Sequence, residues 1–134
     1  MIKIAESNNI LKECLGCEKE FLRILEKLVT IETPPADAAS HKNLFGVVEE
    51  ELKKVGYQTH YYPGELSGGQ ILSKPLSENG NANVYQLLLG HVDTVWPTGT
   101  LHKMPFTNEG DVFTGPGIYD MKAGIAMMLQ ALKV

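Results

Sequence analysis

Cysteine is scarce in this chain, with two in 134 residues, Cys14 and Cys17. They form a single C-x-x-C. No second such pair or His pair follows it and no βαβ pattern precedes it, so neither a zinc ribbon nor a thioredoxin-like redox motif is supported. Spaced i and i+3, the two fit one face of a helix as ordinary thiols. Basic charge is also short, with 12 Lys plus Arg against 16 Asp plus Glu, a net of −4. A nucleic-acid partner would call for a basic excess on one face, so none is expected; the acidic balance chiefly favours solubility. Long apolar runs are missing. Leu87-Leu88-Leu89 and Ile125 to Leu129 fall far short of the ~20 residues that span a bilayer, which argues against a membrane role. The opening Met1 to Asn9 lacks the apolar stretch of ~7–15 residues of a secretory signal, which leaves a cytoplasmic location as the expectation. No internal repeat is visible. What remains is 43% apolar and 21% charged, ordinary for one soluble globular domain. The 13 Gly and 7 Pro add several tight turns.

Hydrophobic periodicity predicts helix through the N-terminal third. Ile10, Leu11, Cys14, Leu15, Leu22, Leu25, Leu28 and Val29 recur near a 3.6 period, with Ser7 as the N-cap and Gly16 as a break. Thr33-Pro34-Pro35 ends it, because proline disfavours helix in the residue before it. A second helix is expected from Asp37 or Ser40 to Lys54, with Leu44, Val47 or Val48, Leu52 and Val55 inward and Gly56 as the stop. The period then changes. Tyr57 to Tyr62 reads as a strand, Pro63 to Gly69 as a loop and Gln70 to Ser73 as a short strand. Ser77 to Asn83 holds an Asn-Gly turn signal. Val84 to Leu89 reads as a buried central strand, and a hairpin is expected around Glu109-Gly110-Asp111. A helix should follow Met121, with Ile125, Met128, Leu129 and Leu132 as its apolar stripe. The order predicts an α/β fold, a mixed β-sheet with flanking helices. The chain stops at Val134 within an apolar helical pattern, so residues 1–134 are expected to be the N-terminal part of something longer. The last helix is then expected to expose its apolar face and self-associate.

Two stretches carry chemistry. In Leu87-Leu88-Leu89-Gly90-His91-Val92-Asp93-Thr94-Val95, positions i and i+2 of an extended backbone point the same way. His91 and Asp93 therefore project together from a strand end, where open α/β sheets place ligands. A ligating His usually donates its other ring N–H to a carboxylate, which fixes its tautomer. Alone, His-x-Asp equally describes a satisfied histidine beside a surface aspartate. In Gly115-Pro116-Gly117-Ile118-Tyr119-Asp120-Met121-Lys122-Ala123-Gly124 a glycine-rich turn leads into a helix. Asp120 there is either an N-cap, contributing about 1 kcal/mol, or a carboxylate offered to a cation, able to bridge two metals through its two oxygens. The glycines match neither G-x-G-x-x-G nor G-x-x-x-x-G-K-[ST], so phosphate binding is not supported.

Taken in order, Gly90-His91-Val92-Asp93-Thr94-Val95-Trp96-Pro97, Gly99-Thr100, Pro105-Phe106 and Gly115 to Gly124 resemble the zinc aminoacylase and carboxypeptidase family. That family includes glutamate carboxypeptidase, acetylornithine deacetylase, succinyl-diaminopimelate desuccinylase and peptidase T. The Trp-Pro-x-Gly-Thr and Gly-Pro-Gly wording is most similar to the glutamate carboxypeptidase branch. The detailed match runs from Leu87 to Leu132, and the two N-terminal helices agree with the family's opening. The resemblance implies a zinc-exopeptidase-like catalytic domain. It makes His91 a zinc ligand, Asp93 the residue that orients it and Asp120 a bridge between two zincs, with the Asp120-Met121 peptide cis. It implies metal-assisted hydrolysis of amide or peptide bonds in N-acyl amino acids or short peptides, two zincs about 3.5–4 Å apart activating a water and polarising the carbonyl.

The sequence departs from the family in length. It ends 14 residues after Asp120, at Val134. The family's catalytic Glu, its remaining ligands and its inserted dimerisation domain lie beyond that point. With two candidate ligands where a catalytic zinc normally has three, the chain alone is expected to bind zinc weakly and hydrolyse nothing. The partners expected are a second copy, through self-association, or a complementing C-terminal chain that completes the enzyme. The alternative is a non-catalytic remnant or partner-binding module of the same fold. Of the other histidines, His41, His60 and His102 lack a partner at ligand spacing and are expected to be solvated or packed. Lys122 stands in the first helical turn, unfavourable for a cation beside the helix dipole, which hints at a structural contact. Glu49-Glu50-Glu51 is expected to be a solvated helix face.

Overall fold

The computed structural model describes residues 4–76 and 86–134. Four helices and two hairpins follow in order: α1 Ile4–Gly16, α2 Glu18–Val29, α3 Ala38–Lys54, β1 Tyr57–Tyr62, β2 Gln70–Pro75, β3 Thr107–Glu109, β4 Val112–Thr114 and α4 Ala123–Ala131. Both hairpins are antiparallel, β1 with β2 and β3 with β4. Tyr57 faces Pro75 and Tyr62 faces Gln70 in the first, while Thr107 faces Thr114 in the second. The α/β class holds, with the sheets present as these small pairs among the described residues.

The core is helical. Ile24, Leu25, Leu28 and Val29 of α2 meet Leu44, Val48 and Leu52 of α3 and Ile125, Ala126 and Leu129 of α4. Each set recurs at three- and four-residue steps, so each helix turns one apolar stripe inward. Asp37 starts α3 by accepting from the amides of Ala39 and Ser40, both at 3.1 Å. Gly56, at φ +79°, follows its end, where glycine adopts the left-handed turn at little cost. The β1–β2 hairpin lies against α3, with Phe45 and Tyr61 rings 6.2 Å apart. His41 is buried and its Nε2 lies 2.9 Å from the Pro34 carbonyl oxygen, a packed histidine. His60 lies in β1 and its ring meets that of Tyr62.

Several sequence expectations are corrected. Helix α1 begins at Ile4, so Ser7 is inside it and is not the N-cap. The apolar stripe does not continue from α1 into α2: Ile10, Leu11 and Leu15 are exposed. The chain turns at Cys17, whose amide reaches the Cys14 carbonyl, and only α2 enters the core. Leu87 to Leu89 form no strand and are exposed. A continuous apolar run makes a central strand only with partners on both sides, and among the described residues none pairs with it. Val84, Tyr85 and the Ser77 to Asn83 turn lie outside the described residues. The stripe of α4 is mostly covered, Ile125 and Leu129 packing into the core and Met128 and Leu132 half-buried, so the expected exposure of this face is not seen.

Glu51 also departs from expectation. Glu49 and Glu50 are exposed, but the Glu51 side chain is only 1% exposed. Arg23 and Lys54 each approach its Oε1 at 2.7 Å, and Lys133 lies 3.5 Å from its Oε2. Arg23 also grips Glu20 through two 2.7 Å bonds. The cluster ties α2, α3 and the residues after α4 together. Periodicity of charge alone could not separate Glu51 from its neighbours, because its partners come from other elements. Burial pushes the Glu51 carboxyl up, but Arg23 and Lys54 outweigh it and hold it below the ordinary 4.5. The unfolded chain therefore binds the proton more readily, so this contribution is complete above pH 4.5 and is lost as pH falls toward the folded value. Glu51→Gln should cost about 1–3 kcal/mol in chemical denaturation at pH 7, less than a fully buried pair because Arg23 and Lys54 keep partial hydration. The deficit relative to the parent chain should shrink in acid.

Candidate metal centre

Two loops form the site, and both hang from the segment after α2. Proline at 34 and 35 keeps residues 31–33 out of the helix, so their backbone groups are free to bond elsewhere. The Thr94 amide donates to the Thr33 carbonyl at 2.8 Å. The Thr33 hydroxyl donates to the Val92 carbonyl at 2.6 Å. Val92 packs against the core and Thr94 is buried. With a two-residue alternation, inward Val92 and Thr94 leave His91 and Asp93 on the outer side.

The second loop is Gly115 to Lys122. Gly117 takes φ +75°, a conformation glycine adopts without strain. A Cβ there would stand 2.4 Å from Thr94 Cγ2, so glycine also lets the two loops touch. The turn Ile118–Lys122 closes with the Lys122 amide on the Gly117 carbonyl at 2.9 Å. Within it Asp120 is extended, at φ −129° and ψ 97°, and its peptide bond to Met121 is cis. The N-cap reading of Asp120 is corrected: α4 begins at Ala123, its N-cap residue is Lys122, and no side chain caps it.

The Asp120 carboxylate instead faces the imidazole. His91 Nε2 lies 2.9 Å from Asp120 Oδ1, across 29 positions of sequence. On the other ring nitrogen, His91 Nδ1 lies 3.1 Å from the Asp93 carbonyl oxygen and 3.3 Å from Asp93 Oδ1. The imidazole is thus held between two aspartates. Partial burial pushes its pKa down, yet the hydrogen bonds to Asp120 and Asp93 and their charges raise it above the ordinary 6.5. All three side chains keep access to solvent.

Two residues at the rim escaped sequence reasoning or were left without a partner by it. Glu32 accepts from the amides of Gly99 and Leu101, both at 2.8 Å. Those bonds hold its carboxyl below the ordinary 4.5 and anchor the loop carrying the turn Thr100–His102. No motif announced it, since its partners are backbone groups far along the chain. Lys122 is 1% exposed and its ammonium donates to the Ile31 carbonyl at 2.6 Å. That is the contact its unfavourable position had hinted at. Burial pushes its pKa down to about 8, with Glu32 opposing.

The donor set suits a divalent cation. A neutral imidazole nitrogen and a carboxylate oxygen at contact distance are the N/O ligands that zinc, cobalt and manganese share, and the hydrogen bond between them marks where a cation would displace a proton. Asp93 stands on the far nitrogen, in the place of a carboxylate that orients a ligating histidine. Among the described residues no group of three or more His, Cys, Asp or Glu side chains is arranged to hold a metal. Cys14 and Cys17 lie elsewhere, lining a groove of about 310 Å³ with Phe21, Met127 and Gln130.

The profile of peptidase family M20/M25/M40 matches residues 87–134, the stretch that contains His91, Asp93 and Asp120. Carboxypeptidase G2 of Pseudomonas sp. (strain RS-16) is 40% identical over 115 residues, covering 84% of this chain and 27% of that protein. Both matches make the chain similar to the M20 peptidase family and, within it, to the glutamate carboxypeptidase branch. The chain spans 27% of the length of this relative. Among the described residues no helix is long and apolar enough to cross a membrane.

Asp120→Asn should move the His91 titration, followed by its ring proton resonances in the metal-free chain, down toward the ordinary value; an unchanged titration would show that the pair does not form in solution. Gly117→Ala should destabilise the chain by about 1–3 kcal/mol, from the left-handed backbone and the contact with Thr94. Gly110→Ala offers a comparison. Gly110 is also left-handed, at φ +67°, but has nothing within 4 Å of its would-be Cβ, so it should cost less in the same denaturation experiment.

Proposed function

We propose that this chain contributes His91 and Asp120 to the metal centre of a zinc-dependent hydrolase that cleaves amide or peptide bonds. The substrates are N-acyl amino acids or short peptides, as in a glutamate carboxypeptidase. The observation that carries the reading is the 2.9 Å approach of His91 Nε2 to Asp120 Oδ1, inside the stretch that matches a peptidase family. The name of the relative, a carboxypeptidase, supports the same class.

In this reading Asp93 holds the ring by its Nδ1 side, and His91 Nε2, on giving up the proton it shares with Asp120, would present its lone pair to a cation. Asp120 offers two oxygens and can serve two cations. Bound metal would supply Lewis acidity toward the scissile carbonyl and lower the pKa of a water. Among the described residues no third His, Cys, Asp or Glu completes the set. With two protein ligands in place of three, the 134-residue chain holds zinc weakly and hydrolyses nothing by itself.

Zinc or cobalt titration of the chain, followed by calorimetry and by the ring signals of His91, tests the reading. Binding at one locus that broadens or shifts the His91 signals is expected. His91→Ala and Asp120→Ala should each weaken it by an order of magnitude or more, on the order of 10–100-fold as for lost metal-site partners. Affinity unchanged in both variants would contradict the ligand roles.

A further inference from the structure

The two halves of the site never bond to each other through their backbones in the hydrogen bonds above; they share an anchor. Thr33 takes the His91 loop twice, through its carbonyl to the Thr94 amide and through its hydroxyl to the Val92 carbonyl. Two residues earlier, the Ile31 carbonyl takes the Lys122 ammonium from the Asp120 loop, at 2.6 Å across 91 positions of sequence. The loops then touch at Gly117, where a Cβ would meet Thr94 Cγ2 at 2.4 Å and Lys122 Cε at 3.4 Å. Lys122 is therefore packed beside the very contact that sets the spacing between loops. It is 1% exposed, and burying an ammonium is costly unless its bond is needed. An apolar side chain of the same length would fill that space at lower cost.

We infer that Lys122 is a positioning residue, which together with Thr33 clasps both loops to the Ile31–Thr33 segment and so sets the separation of His91 and Asp120. It does not touch the reacting atoms; it acts through Asp120, two residues away. The inference rests on reading His91 and Asp120 as one site, but it concerns the metal-free geometry and can be read without metal.

The test compares the full 134-residue chain with Lys122→Met, which keeps length and loses the cation, and Lys122→Arg, which keeps a cationic donor. The first readout is the nuclear Overhauser contact between the His91 ring and the Asp120 methylene in the metal-free chain. Circular dichroism checks that the helices are intact. The second readout is zinc affinity by calorimetry. Lys122→Met should lose the His91–Asp120 contact with its helices intact and weaken zinc binding about 10–100-fold, the range for lost outer partners of a metal ligand. Lys122→Arg should restore the contact and most of the affinity.

A Lys122→Met chain that keeps the contact overturns the inference. So does a Lys122→Arg chain that does no better than Lys122→Met, because a role in packing alone favours the apolar residue. If Lys122→Met does not fold, Thr33→Val decides. It keeps Lys122 and removes only the hydroxyl bond to Val92, so a lost contact in a folded chain supports the clasp and a retained one overturns it. A parent chain that shows the His91–Asp120 contact yet binds no zinc ends the metal reading, and the clasp is then judged on the contact alone.

Discussion

Everything around the candidate centre depends on three residues that leave a helix and do not form another. Pro34 and Pro35 deny Ile31, Glu32 and Thr33 a helical ladder, so their groups are spent on distant loops. The Ile31 carbonyl holds Lys122, the Glu32 carboxylate holds Gly99 and Leu101, and Thr33 holds Val92 and Thr94. Buried backbone groups must find partners. Here that requirement brings loops from three parts of the sequence to one short stretch. The imidazole and the carboxylate meet because their loops share that support.

The support is itself held by the helical core. Ile24, Leu25, Leu28 and Val29 seat α2 between α3 and α4, and the segment after α2 inherits that position. Val29 reaches under the second loop, where a Cβ on Gly115 would stand 2.7 Å from its Cγ1. The Arg23–Glu51 cluster adds a charged tie among α2, α3 and Lys133 beyond α4. Core packing, helix termination and loop placement are thus one chain of causes, and the exposed side chains of the centre stand at its end.

Much of this was legible from residue order. The break at Gly16, the start of α3 near Asp37, one of the two starts expected, the strand Tyr57–Tyr62 and the hairpin about Gly110 fall where local signals put them, whereas α2 ends at Val29, four residues before Thr33. The pairing of His91 with Asp93 followed from the two-residue repeat of an extended chain. What escaped is non-local. Asp120 is open to two readings in the sequence, N-cap or carboxylate offered to a cation, and only the approach of His91 shows which way its carboxylate turns. Glu51 reads as one of three surface glutamates until Arg23 arrives from another helix. Glu32 bonds only backbone amides and so leaves no pattern of residue types. Leu87 to Leu89 read as a central strand because the run is apolar, but a strand is made by its neighbours and the run alone does not supply them.

The family match covers residues 87–134, a stretch that holds both weak motifs, and the fold sets His91 Nε2 2.9 Å from Asp120 Oδ1. His-x-Asp and a glycine-led aspartate are each common, but the fold brings them to hydrogen-bonding distance on a common support. The most direct measurement is a zinc-edge anomalous difference map from crystals of the chain soaked with zinc. A peak in contact with both His91 Nε2 and an Asp120 oxygen, at about 2.0–2.2 Å from each, is the predicted result. A well-ordered His91 and Asp120 with zinc bound only elsewhere, or on one of them without the other, would contradict a shared cation.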